Sequence, residues 1–115
     1  SGSIPREIGM LKSLVDLELS TNNLTGSIPT SIGNLSNLTT LYLYENKLSG
    51  SIPREIGMLK SPVVLSLSTN NLTGSIPTSI GNLGNLTTLY LHTNKLSGFI
   101  PREIGLLKSL VDLQL

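Results

Sequence analysis

A chain of 115 residues, 38% of them hydrophobic, is long enough for one domain and too short for two. Its formal net charge of +1 gives no electrostatic reason to expect nucleic-acid or anionic-membrane binding, and the absence of cysteine excludes disulfides, thiolate chemistry and cysteine-type zinc sites. No apolar run approaches the roughly 18 residues that a membrane span needs, and the N-terminus lacks the basic-then-apolar pattern of a signal peptide.

The chain is an internal repeat from end to end. A partial repeat over residues 1–10 is followed by 24-residue repeats that start at positions 11, 35, 59, 83 and 107, the last of them incomplete. A repeat of this length cannot bury its own Leu/Ile face, so its stability must come from stacking on its neighbours. We therefore expect residues 1–115 to form a single domain.

Each repeat predicts the same elements in the same order. Its Leu-x-Leu segment alternates apolar and polar residues, which predicts a short strand with one buried face. An asparagine follows where the chain must turn out of the strand, and a buried amide there can bond neighbouring main-chain groups in a ladder. The Gly-x-Ile-Pro step then supplies a bend, and the short polar segment after it, such as residues 30–37, predicts 3₁₀ or irregular turns. The ladder positions are Asn22, Asn46, Asn70 and Asn94.

The recurring form NxLTGSIPxxIGxLxxL resembles the plant-specific class of leucine-rich repeats, found in plant receptor-like kinases and polygalacturonase-inhibiting proteins. The resemblance implies an α/β-type repeat solenoid, mostly β with 3₁₀ turns, wound as a right-handed leucine-rich-repeat superhelix with a parallel sheet on its concave side. It also implies an extracellular setting, in the apoplast or at the cell surface. The ligands of that family are peptides, hormones or wall-attacking enzymes.

Three features depart from this family. Both ends fall inside a repeat, and the cysteine-bearing caps that usually cover the terminal cores are missing. Pro62 stands where the other repeats have leucine, which removes a core side chain and a backbone donor just before a strand. We expect an uncapped fragment whose ends associate head to tail.

The sequence does not indicate catalysis. It has one histidine, no cysteine and no phosphate-binding loop of the GxxxxGK[ST] type. Arg-Glu pairs recur two repeats apart at positions 6–7, 54–55 and 102–103, and we interpret them as solvated charges that keep the solenoid soluble. We expect no enzyme activity, no cofactor and no metal site.

The outward positions of the strands form the candidate binding surface. All three tyrosines and the only histidine fall on this concave face, and tyrosine combines apolar area with a hydrogen-bonding tip. His92 can contact a peptide carboxylate and add pH sensitivity. The predicted ligand contacts are Tyr42, Tyr44, Tyr90 and His92, with Asp16, Glu18 and Glu45 at the rim and Thr40 and Thr88 in the same columns. The alternative is that exposed aromatic residues merely favour strands.

A second period points to the same face. Residues 1–48 and 49–96 are identical at 42 of 48 positions, so the unit of duplication is a pair of repeats. Four of the six differences, at positions 16, 18, 44 and 45 and their counterparts, lie on the concave face, where a ligand would bind. Unrestrained drift of exposed positions explains the same pattern.

These observations predict a non-catalytic peptide- or protein-recognition module, like the extracellular ligand-binding part of a plant receptor-like kinase. We expect no nucleic-acid partner and no membrane contact by this segment. One alternative is a polygalacturonase-inhibitor-like protein. Another is an ice-binding solenoid that acts as an antifreeze or inhibits recrystallisation, since Thr, Ser and Asn rows recur on a rigid sheet. In that surface Thr39/Thr40 and Thr87/Thr88 are interrupted by Val63/Val64 and by tyrosines.

Five N-glycosylation sequons are also present. Their acceptors are Asn23, Asn34, Asn37, Asn71 and Asn85. In a secreted protein we expect glycans to coat the flank and convex side of the solenoid. The alternative is that the repeat needs Asn and Thr at these places in any case, which makes the sequons incidental.

Overall fold

Short parallel strands define the architecture of the computed structural model, which describes residues 2–115. Ser1, the first residue of the predicted partial repeat, lies outside the described residues. The main sheet has five strands in the order β2-β4-β5-β7-β9, so each strand pairs with the equivalent strand of the next repeat. The nine strands in chain order are β1 (Gly2–Ser3), β2 (Asp16–Glu18), β3 (Leu24–Thr25), β4 (Thr40–Tyr42), β5 (Val64–Ser66), β6 (Thr73–Gly74), β7 (Thr88–Tyr90), β8 (Lys95–Leu96) and β9 (Asp112–Gln114).

Beyond the main sheet, each repeat contributes a 3₁₀ helix, and two pairs of two-residue strands, β1-β3 and β6-β8, form small sheets. A proline with φ between −73° and −66° precedes every 3₁₀ helix, because the pyrrolidine ring fixes φ at a value suited to a helix start. Neighbouring helices pack against one another along the stack. The five helices are Arg6–Met10, Thr30–Asn34, Arg54–Met58, Thr78–Asn82 and Arg102–Leu106.

The core lies between the main sheet and the 3₁₀ layer. Leu41 pairs in register with Leu17 on one side and Leu65 on the other, and in the interior repeats these side chains are fully buried. The 3₁₀ helices contribute Ile32 and Ile56 to the same core, also without exposed area. The predicted fold class, mostly β with 3₁₀ turns around a Leu/Ile core, is confirmed.

The predicted asparagine ladder joins one repeat to the next. Asn46 Oδ1 accepts hydrogen bonds from two main-chain N–H groups of the preceding repeat, both at 2.9 Å. Its Nδ2 donates to the carbonyls of Leu19 at 2.9 Å and Leu43 at 3.1 Å. Asn70 and Asn94 make the equivalent Nδ2 donations further along the stack. Because these amides are satisfied inside the stack, they tie each turn to the repeat before it.

Pro62 disturbs the core packing less than expected, but it alters the backbone conformation before it. The ring is buried, so it restores part of the packing that leucine provides, contrary to the expectation of a lost core side chain. The backbone does respond. Leu59, three residues earlier, has ψ 131°, whereas its counterparts in the other repeats have ψ between 66° and 76°. In those repeats the leucine N–H donates to the carbonyl of that earlier residue, and proline has no N–H to donate.

The turn that leaves each main-sheet strand contains a residue in the left-handed region. Thr21, Glu45, Thr69 and Thr93 have φ between 56° and 58°. This conformation is unusual for residues with a side chain, and most unusual for β-branched threonine. The outward column at these positions therefore belongs to the turn, not to the strand.

No helix within residues 2–115 is long and apolar enough to cross a membrane.

Candidate functional site

Strand register decides which outward side chains become neighbours on the concave face. In the column that starts at Glu18, Tyr42 pairs with Ser66, and Ser66 pairs with Tyr90. The next outward column, two residues further along the chain, contains Tyr44, Ser68 and His92, and main-chain hydrogen bonds join consecutive repeats along it. The sheet therefore presents an aromatic pair, a serine pair and a second aromatic pair on three successive repeats.

A groove of about 490 Å³ lies over these three repeats. It brings together the four aromatic and imidazole side chains that the sequence predicts as ligand contacts. The residues that line it are Tyr42, Tyr44, Ser66, Ser68, Tyr90, His92 and Gln114.

The two walls of the groove have nearly the same geometry. Tyr42 and Tyr44 contact edge to face, with ring centroids 5.8 Å apart and planes at 70°. Tyr90 and His92 repeat this arrangement at 5.7 Å and 72°. Edge-to-face contacts of this kind hold the rings in fixed relative orientations. Since strands in a sheet are about 4.8 Å apart, the two walls rise from backbones about 9.6 Å apart.

Two buried serines form the floor. Ser66 is 3% exposed and Ser68 is 7% exposed, and their Oγ atoms lie 3.4 Å apart. One hydroxyl can donate to the other, which leaves lone pairs and one hydroxyl hydrogen for a further partner. His92 Nδ1, in the adjoining wall, is buried with no hydrogen-bond partner among the described residues.

The floor residues were not among the predicted contacts. A signal for them was present in the sequence, since Ser66 is where the second pair of repeats differs from Glu18 of the first. A serine between two tyrosines in one column leaves space between larger neighbours. The 24-residue period places Tyr42, Ser66 and Tyr90 at one position of successive repeats, and the strand register agrees with that placement.

One wall is braced by a carboxylate. The Tyr90 hydroxyl donates to Asp112 Oδ2 on the neighbouring strand β9. This hydrogen bond, together with burial and the negative charge of Asp112, raises the pKa of Tyr90 above 10.0 because all three favour the protonated phenol. Asp112 was likewise absent from the predicted contacts, although it lies in the same column as Asp16.

The remaining predicted contacts lie around the groove, not in its lining. Asp16 and Glu18 are exposed on edge strand β2. Glu45 is exposed in its turn, where Thr21 Oγ1 lies 3.5 Å from its carboxylate. Thr40 and Thr88 are half-buried in the first outward column, on either side of Val64. Their role as ligand contacts stays a prediction.

All five sequon asparagines are exposed. Asn23 and Asn71 follow main-sheet strands, Asn34 ends a 3₁₀ helix, and Asn37 and Asn85 lie on the segment that returns to the sheet. Asn37 Nδ2 donates to the carbonyl of Lys12 at 3.3 Å, which attachment of a glycan would disturb. Glycosylation at these positions stays a prediction.

A second, larger groove of about 790 Å³ lies beside the 3₁₀ helices. Serine, threonine and glycine line it together with two isoleucines and two prolines, and no aromatic side chain does. Arg54 and Glu55 line part of it, with Arg54 Nε 3.9 Å from Glu55 Oε2 and the arginine side chain almost fully exposed. Among residues 2–115 there is no group of His, Cys, Asp and Glu side chains arranged to hold a metal ion.

The repeats of this chain match a known family, and its fold is similar to several solved structures. The family pattern described as Leucine Rich Repeat matches residues 13–35, 37–59, 61–83 and 85–107. No curated protein sequence matches the chain significantly. Among solved structures, the TDR receptor is similar over 99% of this chain, with 46% identity and a TM-score of 0.97. The Arabidopsis receptor kinase HAESA, solved with the peptide hormone IDA and the co-receptor SERK1, is similar over 99%, with 39% identity and a TM-score of 0.95.

A plant ice-binding protein is also similar, over 90% of this chain, with 42% identity and a TM-score of 0.84. The chain spans 20% of the length of each receptor and 33% of the ice-binding protein. Most of each similar structure therefore has no counterpart in these 115 residues.

Proposed function

Because the chain belongs to the leucine-rich repeat family, we propose that it is a non-catalytic recognition module that binds a peptide or protein on its concave face. In this respect it resembles the ectodomain of a plant receptor-like kinase. We further propose that residues 1–115 act as a single domain at the cell surface or in the apoplast. The extracellular setting is supported by the similarity to receptor ectodomains and is compatible with five exposed sequon asparagines.

The observation that carries the proposal is the groove between the Tyr42/Tyr44 and Tyr90/His92 pairs. Its walls stand on a hydrogen-bonded sheet over a fully buried leucine core, so the rings are held in place before a ligand arrives. Such preorganisation lowers the entropic cost of binding, and half-buried tyrosines are frequent binding hot spots. An extended peptide lying across the strands would contact several repeats at once.

Selection from a library of random short peptides on the immobilised chain tests the proposal. We expect selected peptides to bind the wild-type chain and to lose at least about tenfold in affinity for a Tyr42→Ala/Tyr90→Ala variant, since two aromatic anchors are removed. A Met10→Ala/Met58→Ala variant is the matched control, because both methionines are exposed away from the groove. Peptides that bind all three proteins equally would overturn the proposal.

Ice binding is the second candidate, but exposed hydroxyl rows suited to it lie away from the concave threonine rows considered first. Thr39 and Thr87, in the rows first considered, lie within 3.3 Å of the carbonyls of Val15 and Val63, so their hydroxyls are already engaged. Exposed hydroxyls recur instead, once per repeat, near the small sheets and the second groove. The two rows are Thr25, Ser49, Thr73 and Ser97, and Ser27, Ser51 and Ser75.

Ice-crystal shape and recrystallisation separate the two candidates. A concave recognition module leaves ice growth unchanged at all concentrations. An ice-binding solenoid shapes crystals, retains that activity in the Tyr42→Ala/Tyr90→Ala variant and loses it when Ser51 and Thr73 are replaced by lysine. Activity with that pattern would replace recognition by ice binding as the function.

A further inference from the structure

We propose that the groove between the two aromatic walls is a binding site for an arginine side chain of the peptide ligand, with the guanidinium lying over Ser66 and Ser68. This inference rests on the proposed recognition function and names the chemistry that its central groove selects. It follows from charge, wall geometry and the floor, which are independent observations.

The charge of the concave face favours a cation. Asp16, Glu18, Glu45 and Asp112 all occupy outward positions of this face. No lysine or arginine occupies an outward strand position or a positive-φ turn position of this face within the described residues; the nearest cations in sequence, Lys47 and Lys95, follow the ladder asparagines. Glu18 lies next to Tyr42 in the sheet register, and Asp112 accepts the Tyr90 hydrogen bond, so a carboxylate stands behind each wall.

This balance argues against the peptide carboxylate that the sequence suggested as a partner of His92. An anionic group in the groove would lie between these carboxylates without a compensating cation. A positive group in the same place is attracted from both sides.

The walls suit a flat cation. The backbones under Tyr42 and Tyr90 are two strand spacings apart, about 9.6 Å, and Ser66 between them contributes little bulk. A planar group can lie between the rings and contact an aromatic face or edge on each side. Guanidinium groups stack on aromatic rings and are attracted by the negative potential of the ring face.

The floor distinguishes guanidinium from ammonium. The Ser66 and Ser68 Oγ atoms, 3.4 Å apart, have free lone pairs that two N–H groups of one guanidinium can reach together. His92 Nδ1, buried in the adjoining wall, has no hydrogen-bond partner among the described residues. An ammonium group is compact and strongly hydrated, and it cannot fill a slot between two rings as a planar group does.

A titration with small probes, followed by NMR of the ¹⁵N-labelled chain, tests the site directly. The probes are N-acetyl-arginine N-methylamide, its neutral citrulline isostere and the lysine equivalent. We expect the arginine probe to shift the resonances of Tyr42, Ser66 and Tyr90. We expect the citrulline probe to bind at least about fivefold more weakly because it lacks the cation–π contact. We expect the lysine probe to bind similarly weakly because its ammonium is strongly hydrated and not planar.

Two groove variants and one control variant make the test independent of folding defects. Tyr42→Leu keeps apolar bulk but removes a ring, and it should weaken arginine binding at least about threefold. Ser66→Leu fills the groove and should abolish binding, whereas Ser75→Leu, exposed on the other layer, should leave it unchanged. Equal binding of the arginine and citrulline probes, or shifts confined to residues outside the groove, would overturn the inference. So would lysine binding as tightly as arginine, or no binding of any probe.

The outcome also separates this inference from the proposed function. Selected peptides that depend on Tyr42 and Tyr90 but contain no arginine leave recognition standing and overturn the arginine site. If the arginine probe binds in the groove but no selected peptide depends on the concave face, the arginine site stands and the proposed peptide recognition is overturned.

Discussion

Tyr90 donates its hydroxyl hydrogen to the carboxylate of Asp112 on the next strand of the sheet, and the bond braces one wall of the concave groove. The pKa of Tyr90 is raised above 10.0, first by this hydrogen bond, then by burial and by the charge of Asp112. A raised pKa in a tyrosine means that the folded chain favours the protonated phenol. The resulting stability is present below pH 10 and is lost as the pH rises through the folded-state pKa.

Replacing Asp112 by alanine should lower the pKa of Tyr90. We expect one of the three tyrosine steps in a phenolate-absorbance titration to move to lower pH in Asp112→Ala. Asp16→Ala is the control, because Asp16 occupies the same column at the opposite edge of the sheet. If the titration of Asp112→Ala matches that of the wild type, the bond does not set the ionisation of Tyr90.

Asn70 should contribute far more to stability than Asn22. Asn70 is 8% exposed, and its Nδ2 lies within 3.2 Å of three carbonyls, whereas the exposed Asn22 amide bonds only the Ser20 carbonyl. We expect Asn70→Ala to reduce the free energy of unfolding by about 2–4 kcal/mol and Asn22→Ala by less than about 0.5 kcal/mol. Urea denaturation followed by circular dichroism measures both. Equal losses would show that the ladder is not what stabilises the stack.

Gly57 permits close stacking of the 3₁₀ layer. A Cβ added there would lie 2.5 Å from the carbonyl oxygen of Ser79 in the next repeat. Gly105, the equivalent position in the last repeat, has no atom within 4 Å of an added Cβ. We expect Gly57→Ala to cost about 2–3 kcal/mol and Gly105→Ala to be neutral or slightly stabilising. Thermal melts of the two variants should differ clearly, and coincident melts would contradict this packing.

Thr69 offers a site for stabilisation. Its φ of 56° places a β-branched residue in the left-handed region, which asparagine tolerates better. We expect Thr69→Asn to raise the free energy of unfolding by about 0.5–1 kcal/mol. Thr30→Asn, exposed and without a positive φ, provides the comparison. A destabilised Thr69→Asn would mean that the threonine is needed there for a contact that outweighs the strain.

Self-association of the 115-residue polypeptide stays a prediction. Apolar side chains are exposed in its first and last repeats: Leu11 and Val15 in one, and Val111, Leu113 and Leu115 in the other. We expect the apparent mass in light scattering to rise with concentration. Leu113→Lys should reduce that rise because it places a charge in the apolar contact. A concentration-independent monomer mass would exclude head-to-tail association.

The sequence by itself determined the features that depend on one repeat. Alternation in Leu-x-Leu predicts a strand with one buried face, proline marks the start of each 3₁₀ helix, and the recurring asparagine predicts the ladder seen at Asn46 and Asn70. These patterns are local, because each arises from the periodicity and backbone preferences of a few consecutive residues. The concave location of the tyrosines and His92 followed from the same alternation.

Only the tertiary structure decided which of those residues act together. The 24-residue period already aligns Tyr42, Ser66 and Tyr90, but the edge-to-face contacts that turn the two ring pairs into walls are visible only in the fold. The Tyr90–Asp112 bond likewise depends on how two repeats stack. Such contacts depend on side-chain orientations that packing between stacked repeats decides, so the repeat period alone does not predict them.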